Sequence, residues 1–252
     1  MTKESPTVLC MNMGLRDSLI SNHQFFVDQA KTRLLGQFND LSIQSEAQKV
    51  SQETWEEIEG FFDPDKHDLL EFSEVADHQG YERYRLLSEM LDHTRFSMLA
   101  ALFHSFEKSL KDWIARELFT VFKSEKIKQR VWAATLEELY TLLKEGGVNV
   151  RVSSIYKDLR NYQLVVNVYK HGEGRSLDEL RKEAPQFIVP EDDSGFYRAF
   201  PLEFFDHTHL RITDDDFDRF TGAIPDFWKE IPTYIRTSAF KKFPKWLEDA
   251  AK

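Results

Sequence analysis

The sequence is poor in cysteine, glycine and proline and has no long apolar run. Its 252 residues include one cysteine, Cys10, which excludes an intramolecular disulfide and a cysteine-rich metal site. Only 10 glycines and 8 prolines are present, which disfavours an all-β chain and favours long helices. No segment approaches the roughly 20 apolar residues of a membrane span, and residues 1–6 contain no apolar signal core. We therefore expect a cytoplasmic protein without a membrane segment.

What the chain does contain is apolar residues and an uneven charge. Apolar residues make up 41% of the chain, including 21 phenylalanines, enough to bury a substantial core. The net charge of −10 divides into −9 over residues 1–80, +4 over 81–176 and −5 over 177–252. The basic middle third is the expected surface for a phosphate backbone, if the protein binds one, and a solvated helix face is the alternative.

Helical patterns dominate the sequence and predict an all-α bundle with little or no strand. The expected helices are 15–38, 52–62, 81–122 as one helix or two, 136–145, 152–171, 176–182, 213 onward and 233–250. Thr135 with Glu138 predicts a capping box at the start of 136–145, and Thr213 is the expected cap before Asp214, Asp215 and Asp216. A stripe at three- and four-residue steps is predicted to be core, namely Leu102, Phe103, Phe106, Leu110, Trp113, Ile114 and Phe119. Residues 185–201 are expected to form an irregular loop, and 209–213 a brief strand.

The predicted organisation has three parts. Residues 1–80 form an acidic N-terminal helical region, residues 81–176 a helical core, and residues 177–252 a loop and helices that pack on that core. We expect the three parts to form one compact unit.

The segment from Arg160 to His171 carries the most informative polar side chains. On a helix, Asn167 and His171 lie within about 20° of Arg160, so the three share one face beside apolar residues. A cation, an amide and an imidazole at the rim of a groove suit the binding and processing of a phosphodiester. Arg160 and His171 would be about 16 Å apart along the axis, so the cation must come from a partner subunit or from Lys170. The β-branched residues in 163–169 leave a strand as one alternative. A second alternative is that Asn167 and His171 only cap the helix end before Gly172.

These residues resemble the HEPN superfamily. The resemblance covers about residues 81–176 and rests on the helix Ala101-Leu-Phe-His-Ser-Phe-Glu107-Lys-Ser-Leu110 and on a Leu-Arg-Asn helix ending in Asn167-Val-Tyr-Lys-His171-Gly172. It implies an all-α domain of prokaryotic defence or toxin–antitoxin systems that acts as a metal-independent, cofactor-free endoribonuclease and as a homodimer. His171 would be the general acid and base, with Asn167 and a cation from Arg160 or Lys170. Asn161, Lys157 and Arg175 would bind the RNA.

The sequence departs from the family motif at the arginine. If Asn167 and His171 occupy the motif's polar and histidine positions, Val166 stands where the arginine belongs; if Arg160 and Asn161 begin the motif, His171 comes too late. The predicted function is a ribonuclease effector of a bacterial defence or toxin module that uses an unconventional cation. The alternative is a degenerate relative that binds a cognate protein partner as an immunity, antitoxin-like or scaffold module.

Two further clusters contain residues that can ligate metals. Residues 63–74 resemble an EF-hand calcium loop, but Asp68 stands where a glycine is needed, so a helix junction with Asp63 as N-cap is the better interpretation. His207 and His209 follow Asp206 without further ligands at a telling spacing, so we predict no metal site there. No phosphate-binding glycine loop or zinc-protease motif is present.

Overall fold

The computed structural model describes residues 5–63, 65–189, 197 and 200–251. In these residues the chain is an all-α bundle with one small two-stranded sheet, as predicted. The helices are α1 (Met13–Arg33), α2 (Asp40–Glu59), α3 (Leu69–Phe122), α4 (Glu125–Ala133), α5 (Leu136–Glu145), α6 (Ser154–His171), α7 (Arg175–Glu183), α8 (Asp214–Glu230) and α9 (Lys245–Ala251), and the strands are β1 (Thr7–Cys10) and β2 (Tyr234–Arg236).

The chain divides into two compact units. Met1–Val27 and Leu99–Lys252 form the core unit, and Asp28–Met98 form the hairpin unit, in which α2 is followed by the first part of α3. The predicted boundaries at residues 80 and 176 lie within α3 and α7, and the boundaries between the two units lie within α1, at residues 27 and 28, and within α3, at residues 98 and 99. A helix that continues through residue 80 leaves no linker there.

The interior of the core unit is aromatic. Six residues of the predicted stripe are at most 6% exposed, and Phe119 at its end is partly exposed. Tyr162 of α6 stacks on Phe220 of α8 at 5.4 Å between ring centroids, and its hydroxyl donates to the carbonyl of Leu99 at 2.7 Å. Trp113 and Trp228 meet edge to face at 6.2 Å. This packing fixes α6 against α3 and α8, and α6 carries most of the predicted site.

The C-terminal segment contains a strand that the sequence analysis did not predict. β2 pairs antiparallel with β1, with Leu9 opposite Ile235, and both side chains are at most 2% exposed. The expectation of a helix over 233–250 is therefore wrong for 233–244, which contain β2 and a 3₁₀ turn at Thr237–Ala239, while α9 occupies 245–251. The indole of Trp113 also donates to the carbonyl of Cys10, at 2.9 Å. The pairing joins residues more than 200 positions apart, which local propensity does not reveal.

Other local predictions have mixed outcomes. α5 begins at the predicted capping box of Thr135 and Glu138, and α8 has an equivalent box of Thr213 and Asp216. The alternative strand over 163–169 is wrong, because α6 is continuous. The strand over 209–213 is also wrong, because a 3₁₀ turn occupies His207–His209 and residues 210–213 have no regular secondary structure. Of the predicted loop at 185–201, residues 190–196, 198 and 199 lie outside the described residues.

Within the described part of the chain, no helix combines the length and the apolar character that crossing a bilayer requires.

Candidate functional site

Helix α6 positions most of the predicted site residues. Ser153 caps its first turn by accepting the N–H of Ile155 at 3.2 Å. Gly172 ends it with φ at 68°, in the left-handed region that favours glycine, and donates its N–H to Val168 at 2.8 Å. The apolar face is buried over Leu159, Tyr162, Leu164, Val165, Val166 and Val168. The polar side chains of the proposed site are therefore confined to the remaining arc of the helix.

Arg160 is held by two carboxylates of α7. Its guanidinium donates to Glu179 at 2.7 Å and to both oxygens of Glu183 at 3.1 Å. The hydrogen bond with Glu183 is the largest cause that raises the pKa of Arg160 above its ordinary value, and Glu179 adds to it. Arg175 in turn bonds Glu179 at 2.7 Å. Arg160 thus joins α6 to α7, and its charge is already compensated within the chain.

Asn167, Lys170 and His171 lie at the C-terminal end of α6. Asn167 is half-buried, whereas Lys170 and His171 are exposed. Asn167 and His171 are four residues apart on an unbroken helix, so they share one edge. The same regularity separates His171 from Arg160 by about 16 Å along the axis. The structure therefore places the amide and the imidazole next to each other. Arg160 lies about three turns away on the same helix, where it is paired with Glu179 and Glu183.

The three predicted RNA-binding residues lie in different surroundings. Lys157 and Arg175 are exposed. The Arg175 side chain is 90% exposed, and it forms an ion pair with Glu179. Asn161 is only 3% exposed. An RNA backbone does not reach Asn161 in this conformation, so its predicted role as an RNA contact does not agree with its burial.

Val166 is the position at which the sequence departs from the family motif. Its side chain is 1% exposed and belongs to the apolar face of α6. An arginine there would have to bury its guanidinium among hydrocarbon side chains, at a large cost unless it were paired. The side chain of Val166 therefore packs in the hydrophobic core of the core unit.

A histidine from a distant part of the sequence lies beside the end of α6. A Cβ added to Gly172 would be 3.6 Å from the ring of His207, and His207 pairs through Nδ1 with Glu173 at 2.9 Å. Both side chains are about half exposed. In the sequence, the neighbours of His207 suggested only a metal ligand, because 34 residues separate it from Glu173 and no local pattern indicates this contact.

The candidate metal-binding segments have local structural roles. Asp68 caps the start of α3 by accepting the N–H of Leu70 at 2.8 Å, so the cap is Asp68 and the predicted cap at Asp63 is wrong. Asp63 pairs instead with Lys66 at 2.7 Å. Asp206 accepts hydrogen bonds from Thr208 and His209, which lower its pKa to about 2. Among the described residues no three potential metal-ligating side chains gather at one point.

Comparison with known proteins does not assign the chain to a family. No family model matches it, and neither does any curated protein or solved structure. The function is therefore inferred from the residues of α6 and their surroundings.

Proposed function

We propose that this chain is a catalytically degenerate HEPN-like protein that acts in the cytoplasm as a protein-binding module. The observation that carries the proposal is the state of the two candidate arginine positions. Val166 is buried in the core, and the guanidinium of Arg160 is bound by Glu179 and Glu183. Neither position offers a free cation beside His171.

The lack of a free arginine beside His171 matters because of the chemistry of RNA cleavage. When a ribose 2′-hydroxyl attacks the adjacent phosphate, a cyclic phosphate forms and the 5′-oxygen leaves, with one proton removed and one supplied. A histidine can move these protons, but negative charge accumulates on the phosphate oxygens in the transition state. Removing one donor that stabilises such charge commonly costs about 100- to 1,000-fold in rate. Asn167 and His171 alone are therefore a poor ribonuclease site.

The test is cleavage of tRNA and total RNA by the purified protein in EDTA. We expect no fragments with 2′,3′-cyclic phosphate ends above the level given by His171→Ala. A matched variant, His207→Ala, removes the neighbouring imidazole and changes no residue of α6. Cleavage by the wild type and by His207→Ala that disappears in His171→Ala would overturn the proposal.

A metal-independent ribonuclease remains the second candidate, because one observation favours it. Lys170 and His171 are both exposed and adjacent, next to Asn167 on the same helix end. In that case the active form would be a homodimer whose two helix ends face one RNA, and Lys170 would supply the cation. Activity lost in Lys170→Ala, in a protein that light scattering shows to be dimeric, would support this function.

A further inference from the structure

The acidic charge of the chain is concentrated in the hairpin unit. Residues 28–98 carry 7 lysines and arginines against 16 aspartates and glutamates, a net charge of −9 out of −10 for the whole chain. The same unit exposes two tyrosines of α3, Tyr81 and Tyr84, three residues apart on the helix. Residues at this spacing are neighbours on a helix surface, so the two rings lie within the acidic unit side by side.

A groove lies between α2 and α3 within this unit. Gly80 lets the two helices approach closely, because a Cβ there would be 2.9 Å from Cβ of Ser51 and 3.0 Å from the carbonyl of Ala47. Beside this contact the groove has a volume of about 300 Å³. The side chains that give it chemical character are Gln44, Gln48, Ser51, Asp77, Tyr81 and Tyr84.

The groove contains the groups that recognise a cationic side chain. Tyr81 and Tyr84 are 63% and 41% exposed, although aromatic rings are usually more buried. Asp77 accepts a long hydrogen bond of 3.4 Å from Ser51 and, within the described residues, has no ion pair with lysine or arginine. An aromatic face attracts a lysine or arginine head group, and a carboxylate beside it completes the recognition.

Charge selects the class of occupant. A second copy of the hairpin unit would bring −9 against −9, and an RNA backbone would bring its phosphates to the same acidic surface, so both are disfavoured. A basic helix with one apolar face complements the carboxylates of the unit and the exposed rings of Tyr81 and Tyr84 together.

We infer that the groove between α2 and α3 binds a basic amphipathic helix of a partner protein, with a lysine or arginine held by Tyr81, Tyr84 and Asp77. This inference rests on the proposed function, since it supplies the surface through which the module binds its partner. Long-range attraction by the acidic unit accelerates the encounter, and the groove provides the specific contact.

The experiment uses the full-length chain and a fluorescein-labelled peptide of about 16 residues, long enough to form a helix on binding. The peptide contains leucine and alanine on one face and lysine on the other, and its counterpart has glutamate in place of lysine. Binding is followed by fluorescence anisotropy. We expect the lysine peptide to bind, and the glutamate peptide not to bind.

The variants distinguish specific binding in the groove from nonspecific attraction of the peptide to the acidic unit. Tyr81→Ala with Tyr84→Ala should weaken binding about tenfold, which corresponds to about 1.4 kcal/mol, and Asp77→Asn should weaken it as well. The two matched controls are Leu86→Ala and Asp65→Asn, which change residues of the same unit outside the groove. Both should leave the affinity for the peptide within about twofold of the wild type. Circular dichroism checks that each variant is folded.

Other results would overturn the inference. These are no binding of the lysine peptide, equal binding by the double tyrosine variant, self-association that the double tyrosine variant abolishes, or direct binding of a labelled RNA oligonucleotide, without the peptide, that the double tyrosine variant abolishes. The RNA cleavage assay on the same preparation keeps the two proposals apart. Cleavage together with groove-dependent peptide binding would refute only the degenerate function, whereas absence of both would refute only the groove.

Discussion

Burial of single side chains on α6 decides which of the predicted site residues can act. Asn161 and Val166 are spaced five residues apart and face the core, at 3% and 1% exposure, while His171 faces solvent. The sequence pattern placed Arg160, Asn167 and His171 on one face correctly, since that follows from helix geometry. The pattern did not reveal that Glu179 and Glu183 accept hydrogen bonds from the guanidinium of Arg160, because that contact forms only when α7 packs on α6.

Restoring the family's arginine at Val166 should not restore a site. Val166→Arg places a guanidinium in a position that is 1% exposed, so we expect a loss of about 3 kcal/mol or more in the free energy of unfolding. Val166→Ala, which removes only two methyl groups, should cost less, about 1–2 kcal/mol. Urea denaturation of both variants tests the order. An arginine variant as stable as the wild type would mean that position 166 opens to solvent.

His23 gives the core unit a dependence on pH. It is 9% exposed, its Nε2 bonds the carbonyl of Thr221 at 2.8 Å, and burial lowers its pKa below the ordinary value of 6.5. The unfolded chain therefore takes up a proton at this residue at a higher pH than the folded chain does. The stabilisation is fully present above pH 6.5 and is lost as the pH falls below that value toward the folded pKa.

His23→Gln isolates this contribution, because the amide keeps a donor for Thr221 and does not titrate. Between pH 7.5 and 5.5, the wild type should lose up to about 1 kcal/mol more stability than the variant does. Thermal unfolding at several pH values measures the difference in slope, and the remaining histidines are common to both proteins. Parallel profiles for the two proteins would show that His23 is not the titrating group.

At the level of helices, the most reliable predictions came from signals contained within one element. The capping box of Thr135 and the threonine before the three aspartates of α8 both mark helix starts in the structure. The apolar stripe of α3 is core from Leu102 to Ile114. The strand β2 was missed because Tyr234–Arg236 becomes a strand only through its pairing with β1. The same reason explains why the contact between His207 and Gly172 was not predicted.

Gly80 tests how closely α2 and α3 approach, and Gly222 is the matched helical glycine without a close neighbour. Gly222 of α8 is exposed and has no atom within 4 Å of an added Cβ, so Gly222→Ala should stabilise by about 1 kcal/mol through helix propensity. At Gly80 the added Cβ would be 2.9 Å from Ser51, so Gly80→Ala should destabilise by about 1–3 kcal/mol despite the same propensity gain. Chemical denaturation of both variants gives the signs. Stabilisation by both substitutions would show that the hairpin is more loosely packed than the structure indicates.

For the molecule as a whole, the two units differ in how much apolar surface they bury. α3 passes through both, so its halves can be compared within one helix. Over residues 69–98 the buried positions are Ala76, Gly80, Arg95 and Phe96, whereas residues 99–118 bury Leu99, Leu102, Phe103, Phe106, Leu110, Trp113, Ile114, Ala115 and Leu118. Local opening of a helix is opposed mainly by the apolar contacts that it would expose.

Amide hydrogen exchange should therefore vary along α3. We expect amides of residues 72–94 to exchange at least about tenfold faster than those of residues 99–118, because the hairpin unit opens at a lower free energy than the core unit. Binding of the lysine peptide should slow exchange in 72–94 without changing 99–118, since a ligand stabilises the unit that it contacts. Uniform exchange along the helix would mean that the chain opens as one cooperative body. In that case the hairpin unit would not be a separately stable surface for a partner.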